Sequence, residues 1–465
     1  MAQYIKPQDV QDGEQRYEVV MLAAGKDGSV VEATNPLPVT GGYGSNNSLL
    51  VSLGGTNLDA FGRLRISETF TLADYSHIYG EEVELLTSTS GSGTKTLRAN
   101  EASVRLSVGT GNGDYVIHQS RMHHHYMPGK SQLALMSFVF GTARANTVKR
   151  VGLYGEENGV YFQQAGDGTL QFVKRTSISG SVVDETPIPQ SSWNIDECDG
   201  TGASGFNIDI TKTQLFFCDY QWLGVGRLRV GFVHNGEFVV AHEFVHSNNL
   251  ATVYWSNPNI PIRCEIRNTD TAVGTAYMDQ ICSTVMSEGG YVESGVNFSN
   301  YAEGVQLLKG APATAKCLVA IKLKDTYQSL PNRSIVRLTD LNILSDGSSI
   351  VFELWRLPAA STNITGGTWV SANSQSVVEY NTSVGTSFNT TGGEIFASGF
   401  VAANNPSGKQ ASGGIGLADP VQAKRAYLSQ NIGSTDSNVF ALVARNLSST
   451  ADTNAYASVQ WRETR

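Results

Sequence analysis

The sequence predicts an all-β protein, and three observations predict it. Between Gln214 and Val245 two runs of alternating apolar residues flank an Asn-Gly pair, the signature of a hairpin closed by a type I′ turn. Turn-forming Gly, Asn, Asp and Pro recur about every 8 to 12 residues over most of the chain, the spacing of antiparallel sandwiches or barrels and not of β-α-β units. Charged residues make up only 16% of the 465, Gly reaches 48, and helix-type heptads are hard to find.

Residues 1–57 read as an extended arm. A short strand pair is expected around Tyr17–Met21 and Ser29–Glu32, followed by Asn35-Pro-Leu-Pro-Val-Thr-Gly-Gly and a Ser/Asn/Gly-rich tract to Ser48. So small a segment buries little by itself, which predicts packing against the next domain or a neighbouring subunit. From 58 to 295 comes a series of short alternating runs: Gly62 to Ile66, Ala102 to Ser107, Asp114 to His118, Gln132 to Val139, Gly159 to Phe162, Leu170 to Lys174, Asn207 to Ile210, Gln214 to Asp219, then the hairpin. In that hairpin Leu228, Val230 and Phe232 share a face opposite Arg227 and Arg229, and after His234-Asn235-Gly236-Glu237 the alternation resumes at Phe238, Val240, His242 and Phe244. This length suits one large antiparallel jelly-roll sandwich. From 296 to 465 a second series follows: Cys317 to Lys324, Ser334 to Leu344, Ile350 to Leu357, Trp369 to Tyr380, Ile395 to Val401, Val439 to Ala444 and Ala457 to Trp461. It predicts a smaller β-sandwich, with Asn404 to Gly416 as a long loop.

A net charge of −9 without a compensating lysine/arginine cluster makes nucleic acid an unexpected partner. No apolar run approaches a membrane span, and the start Met-Ala-Gln-Tyr-Ile-Lys-Pro has no apolar leader core, so no membrane partner and assembly in a cytoplasm are expected. Cys198, Cys218, Cys264, Cys282 and Cys317 are odd in number, lack C-x-x-C spacing and sit mostly in apolar runs, as buried free thiols do.

Several motifs invite chemistry. His242-Glu243-Phe244-Val245-His246 matches H-E-x-x-H, which on a helix sets two histidines on one face to share zinc, with the glutamate beside them. On a strand the two histidines stand roughly 13 Å apart and Glu243 points away, so the hairpin removes the zinc-hydrolase reading. His123-His124-His125 on a strand would put His123 and His125 on one face, a pair that a three-fold axis could multiply into an octahedral metal site. Its bland reading is a polar strand end before the turn at Tyr126-Met-Pro-Gly129. Gly129-Lys130-Ser131 ends like a phosphate-cradling loop, but His124 stands where the first glycine is needed. Asp196-Glu-Cys-Asp199-Gly200-Thr-Gly202, with Asp209, gathers carboxylates that Ca²⁺ could use, although the spacing is not that of an EF-hand and Asx turns explain Asp and Gly equally well. The paired carboxylates of laminarinase-like sandwiches, E-x-D-x-x-E on a strand, are absent from the sequence. The six tryptophans, Trp193, Trp222, Trp255, Trp355, Trp369 and Trp461, are expected in cores and edges, with a glycan platform as the sharper alternative.

Several segments together resemble uncharacterised structural proteins of tailed bacteriophages: Leu58-Asp-Ala-Phe-Gly-Arg-Leu-Arg-Ile-Ser67, Tyr126-Met-Pro-Gly-Lys-Ser-Gln132, Trp193-Asn-Ile-Asp, Asp219-Tyr-Gln-Trp-Leu-Gly-Val-Gly-Arg-Leu-Arg-Val-Gly-Phe-Val233, and Cys282-Ser-Thr-Val-Met-Ser-Glu-Gly-Gly290. Asn35-Pro-Leu-Pro-Val-Thr-Gly resembles a phrase common in such proteins. The resemblance implies a concanavalin-like jelly roll and a place in the virion, and carries over no catalytic residue. The resulting expectation is a non-enzymatic virion component without cofactor or resident metal, in the tail, fibre or baseplate, with head decoration and polysaccharide depolymerase as the alternatives. It would be a homotrimer joined to other virion proteins, with Asn35 to Ser48 serving assembly and loops such as Asn404 to Gly416 meeting host-surface polysaccharide.

Overall fold

A computed structural model describes residues 69–292, 294–310, 314–403, 412–416 and 427–465, and for 412–416 the backbone alone. They belong to one compact unit running from Leu58 to Arg465. The expected arm, the strand at Gly62 to Ile66 and most of the expected loop Asn404 to Gly416 lie outside the described residues.

Four antiparallel sheets form two sandwiches. In the first, one eight-stranded sheet runs in the order Glu237–Phe244, Leu228–His234, Gln214–Tyr220, Ser131–Val139, Ala276–Glu288, Ser103–Val108, Thr94–Arg98, with Thr69–Ser76 also pairing to Ala276–Glu288. Its eight-stranded partner runs Val183–Asp184, Leu170–Thr176, Gly159–Gln164, Thr147–Tyr154, Ile262–Asn268, Tyr115–Ser120, Leu85–Ser90, with Ile188–Pro189 beside Leu170–Thr176. Phe138, Phe140, Phe162, Phe172, Phe216, Phe232 and Trp193 interlock between the sheets, with neighbouring centroids from 4.4 to 6.3 Å apart. Each buried ring contributes about 1.5–3 kcal/mol in transfer alone, so this cluster fixes which faces meet.

The second sandwich sets Val296–Leu307, Thr453–Thr464, Ile335–Ser345 and Ser412–Gly416, with Tyr427–Leu428, against Val370–Ser371, Val378–Asn381, Lys316–Leu323, Val439–Asn446, Ile350–Leu357 and Glu394–Val401. Ala457, Val459 and Trp461 point into its core, as their alternation predicts. The expected loop does not hold for Ser412–Gly416, which pairs with Asp340–Leu344: backbone pairing needs no bulky side chain, so a Gly-rich tract can still add a strand. Asn207 to Ile210 is no strand either; Asn207 forms a single bridge to Asp199 and the chain then turns. Cys282 is exposed, unlike the other four thiols, because the pairing of Ala276–Glu288 with Ser131–Val139 shifts between Gln280 and Ser283.

The hairpin turns where expected, with Asn235 at φ 53° and Gly236 at φ 84°. Its second strand departs from simple alternation. Val230 faces His242 but Gly231 faces Val240, a bulge that absorbs Ala241. Before it Val239 is the inward residue and Phe238 packs outside on Phe217; after it His242 and Phe244 turn inward. One extra residue exchanges the faces.

Buried charge links the two sandwiches. Glu84, 5% exposed, accepts from Arg356 at 2.6 Å and from the Tyr427 hydroxyl at 2.8 Å, and Arg333 meets both oxygens of Glu157 at 2.7 and 3.0 Å. Met122, Ile335 and Tyr427 pack beside them.

Candidate functional site

His123 lines a small cavity with Arg121, Arg333 and Ser429, whereas His125 lines another with Phe70, Tyr291 and Arg337. Only His124 makes a bridge, to Ile260, so the expected strand is missing and the H-x-H pair shares no face. His124 is held by the Ile260 carbonyl at 2.8 Å and the Tyr75 hydroxyl at 3.2 Å. Burial pushes His123 well below an ordinary histidine and His124 down to about 4, so both are neutral linkers inside the chain.

Asp196 and Asp199 do not converge either. Asp196 accepts the Cys198 and Ser204 backbone N–H groups at 2.8 and 2.9 Å, and Asp199 accepts the Thr201 N–H and hydroxyl at 2.8 and 2.7 Å. The contacts to Cys198 and Thr201, two residues on, are Asx turns, and the one to Ser204 closes the loop. Burial works to raise the Asp196 pKa, yet those backbone donors hold it low; at exposed Asp199 the Thr201 hydroxyl lowers it first.

At the H-E-x-x-H motif the strand ends with Phe244, whose ring lies 4.7 Å from His242 and 6.5 Å from His246. Glu243 faces outward to Arg227 at 3.4 Å. His242 Nδ1 accepts the Asn194 N–H at 3.2 Å; His246 donates from Nδ1 to the Gly226 carbonyl at 2.6 Å and accepts from Lys174 at Nε2, 2.9 Å away. His246 is also stacked on Tyr254 at 3.9 Å. Both of its nitrogens are thus engaged, and burial lowers His242 and His246 to about 4. Among the described residues no group of three His, Cys, Asp or Glu is placed to hold a metal ion.

A carboxylate the motifs did not single out sits at the centre of the outer face of the second eight-stranded sheet. Ile262, Cys264 and Ile266 enter the core, so Arg263, Glu265 and Arg267 share the opposite face. Glu265, 1% exposed, meets Arg263 at 2.7 Å, Arg267 at 2.8 Å, Arg150 at 3.5 Å and the Tyr154 hydroxyl at 3.4 Å. The guanidiniums lie over tyrosine rings, Arg150 on Tyr161 at 5.0 Å, Arg263 on Tyr154 at 5.1 Å and Arg267 on Tyr115 at 4.4 Å. Burial alone would raise the Glu265 pKa; the three arginines outweigh it and hold the carboxyl far below the usual range. A carboxylate fixed in that state cannot donate the proton that glycosidic cleavage needs.

Open clefts lie elsewhere, on both sides of the edge strand Val296–Leu307. Its register against Thr453–Thr464 slips between Ala302 and Val305, and Gly304 takes φ 64°. The bulge lifts a ridge carrying Tyr301, 63% exposed, and Glu303. A cleft of about 300 Å³ on one side is walled by Tyr301, Asn342, Leu344, Tyr456 and Ser458; one of about 380 Å³ on the other by Tyr301, Glu303, Val305, Tyr380 and Thr382. Tyr301 opposes Ser458, and Leu344 opposes Tyr456, so residues from three strands form the floor. The run Ala457 to Trp461 stops short of Tyr456, which lies on the less buried face of Thr453–Thr464; an aromatic on the polar phase of an amphipathic strand is the signal that was available.

These features define a protein of two joined antiparallel β-sandwiches with an aromatic cleft on the second. No protein-family model matches the chain, and no curated protein matches it. Among solved structures it is similar to the CBM2 module of the evolved Dit of Lactobacillus casei BL23 phage J-1, at 7% identity and a TM-score of 0.32 over 49% of this chain and 99% of that one. The carbohydrate recognition domain of Emp46p follows at 8% identity and 0.28, over 46% and 95% of the two chains, and a legume lectin-like domain from Entamoeba histolytica at 10% and 0.28, over 47% and 98%. Likeness at this level says nothing of what this chain binds. Among the described residues no helix is long and apolar enough to cross a membrane.

Proposed function

We propose that the chain is a non-enzymatic structural subunit of a tailed-bacteriophage particle, placed in the tail, fibre or baseplate, that also adheres to polysaccharide of the host surface. One observation carries the reading: among the described residues, the motif histidines and the most enclosed carboxylates are bound into the frame. Glu265 is clamped by three arginines, His124 and His246 are hydrogen-bonded and neutral, and Glu84 ties one sandwich to the other. Frame and open cleft suit holding a surface, not turning it over. The sequence resemblance supports the virion setting, with other virion proteins and sister copies as partners in a homotrimer.

The test is antibody labelling of virions that contain the chain, paired with a reducing-end assay on host polysaccharide. Label on the tail without sugar release is the expected result. Label on the head replaces the tail by a decorating role, and release of reducing ends overturns the non-enzymatic reading.

A further inference from the structure

We infer that the two clefts astride Tyr301 are consecutive subsites for an uncharged polysaccharide, the chain crossing the ridge with a sugar ring against the tyrosine. This deepens the adhesive half of the proposed function and rests on it.

Three observations converge. Tyr301 keeps 63% of its surface exposed on the bulged edge strand, which leaves an aromatic ring open beside both clefts. Its neighbours are polar groups of the kind that pair with hydroxyls: Asn342 and Ser458 on one side, Thr382 on the other, and Glu303 in both clefts. A pyranose presents an apolar C–H face and an equatorial ring of hydroxyls, so it needs this combination of ring face and amide, hydroxyl or carboxylate. The volumes, about 300 and 380 Å³, lie at the lower end of the roughly 300–1,000 Å³ typical of small-molecule sites, the scale of single sugars and not of a protein segment.

Charge selects the class. Glu303 is the carboxylate lining both clefts, and the whole chain carries −9, so phosphorylated or uronic-acid polymers are disfavoured relative to neutral ones. The bulge supplies the geometry: it separates Ala302 and Val305, both turned towards the core, by the raised Glu303-Gly304 pair, which divides one groove into two.

The full chain should be run in native gels cast with dextran, mannan, galactan or polygalacturonate. Retardation is expected in at least one neutral gel and none in polygalacturonate. Tyr301→Ala and Tyr456→Ala should each weaken the retention roughly tenfold, the loss of one ring stack, with thermal midpoints unchanged for exposed Tyr301. No retardation in any neutral gel, or retardation in polygalacturonate alone, overturns the inference. Neutral-gel retention that both variants leave intact also overturns it, moving the site elsewhere while the adhesive reading stands. A fall in oligomeric state for Tyr301→Ala, with retention unchanged, makes the ridge a contact between copies and likewise overturns it. Tail labelling is independent of all these outcomes, so the structural half of the proposed function is tested separately.

Discussion

Glu265→Gln should be among the most destabilising single changes in the first sandwich. The carboxylate is 1% exposed and accepts from Arg263 and Arg267 at 2.7 and 2.8 Å, with Arg150 at 3.5 Å. Glutamine keeps the shape but removes the charge, leaving Arg263, itself 2% exposed, with Glu156 at 2.6 Å as its remaining carboxylate. Breaking a buried pair in this way costs about 3–5 kcal/mol. For a sandwich of this size each kcal/mol moves the midpoint by about 2–4 °C, so the transition should fall by roughly 6–20 °C. Arg267→Ala provides the contrast, because that guanidinium is a third exposed and its loss leaves Glu265 with two arginines and the Tyr154 hydroxyl; its effect should be less than half as large. Calorimetry on the full chain reads both. A midpoint for Glu265→Gln within about 2 °C of the parent would refute the clamp, and with it the argument that this carboxylate is structural.

Acid should weaken the fold in two separate windows. Burial lowers His124, His242 and His246 to about 4 and His118 to about 3, so protons bind the unfolded chain more readily; the stability these groups contribute is full above pH about 6.5 and is lost as pH falls, by up to ~1.4 kcal/mol per unit for each histidine. Glu265, with its depressed pKa, adds a further loss only below about pH 4.3. Thermal midpoints should therefore drop steadily between pH 7 and 5, and a flat profile there contradicts the neutral buried histidines. Added zinc should leave the midpoint unchanged, since His246 has no nitrogen lone pair to give; an EDTA-reversible rise of several degrees would restore the metal reading. In the native protein an aromatic disulfide reagent should titrate Cys282 alone, with Cys198, Cys218, Cys264 and Cys317 reacting only after unfolding. Two or more thiols reacting at once would show that the sandwiches open.

What could be read from the chain follows the range of the forces involved. The hairpin from Gln214 to Phe244 was legible because strand phase and an Asn-Gly turn are local properties, and Trp461 was placed in a core by its own alternation. The exchange of faces after Val230 was not, since a bulge is settled by pairing with the neighbouring strand and Ala241 looks like any other small apolar residue. The histidines illustrate both sides: extended backbone alone separates His242 from His246, whereas only the fold bridges His124 to Ile260 and turns His123 and His125 towards different cavities.

By itself, then, the order of residues determined sheet over helix and a net charge of −9, because two-residue periodicity and net charge need no partner. Tertiary structure alone decided which surface stays open. Tyr301, Asn342 and Tyr456 are separated by up to 155 residues (456 − 301) and meet only because their strands pair side by side in one sheet. Glu265, which sequence leaves an ordinary acidic residue, is clamped by Arg263 and Arg267 of its own strand and by Arg150, which only the fold brings over from the adjacent one.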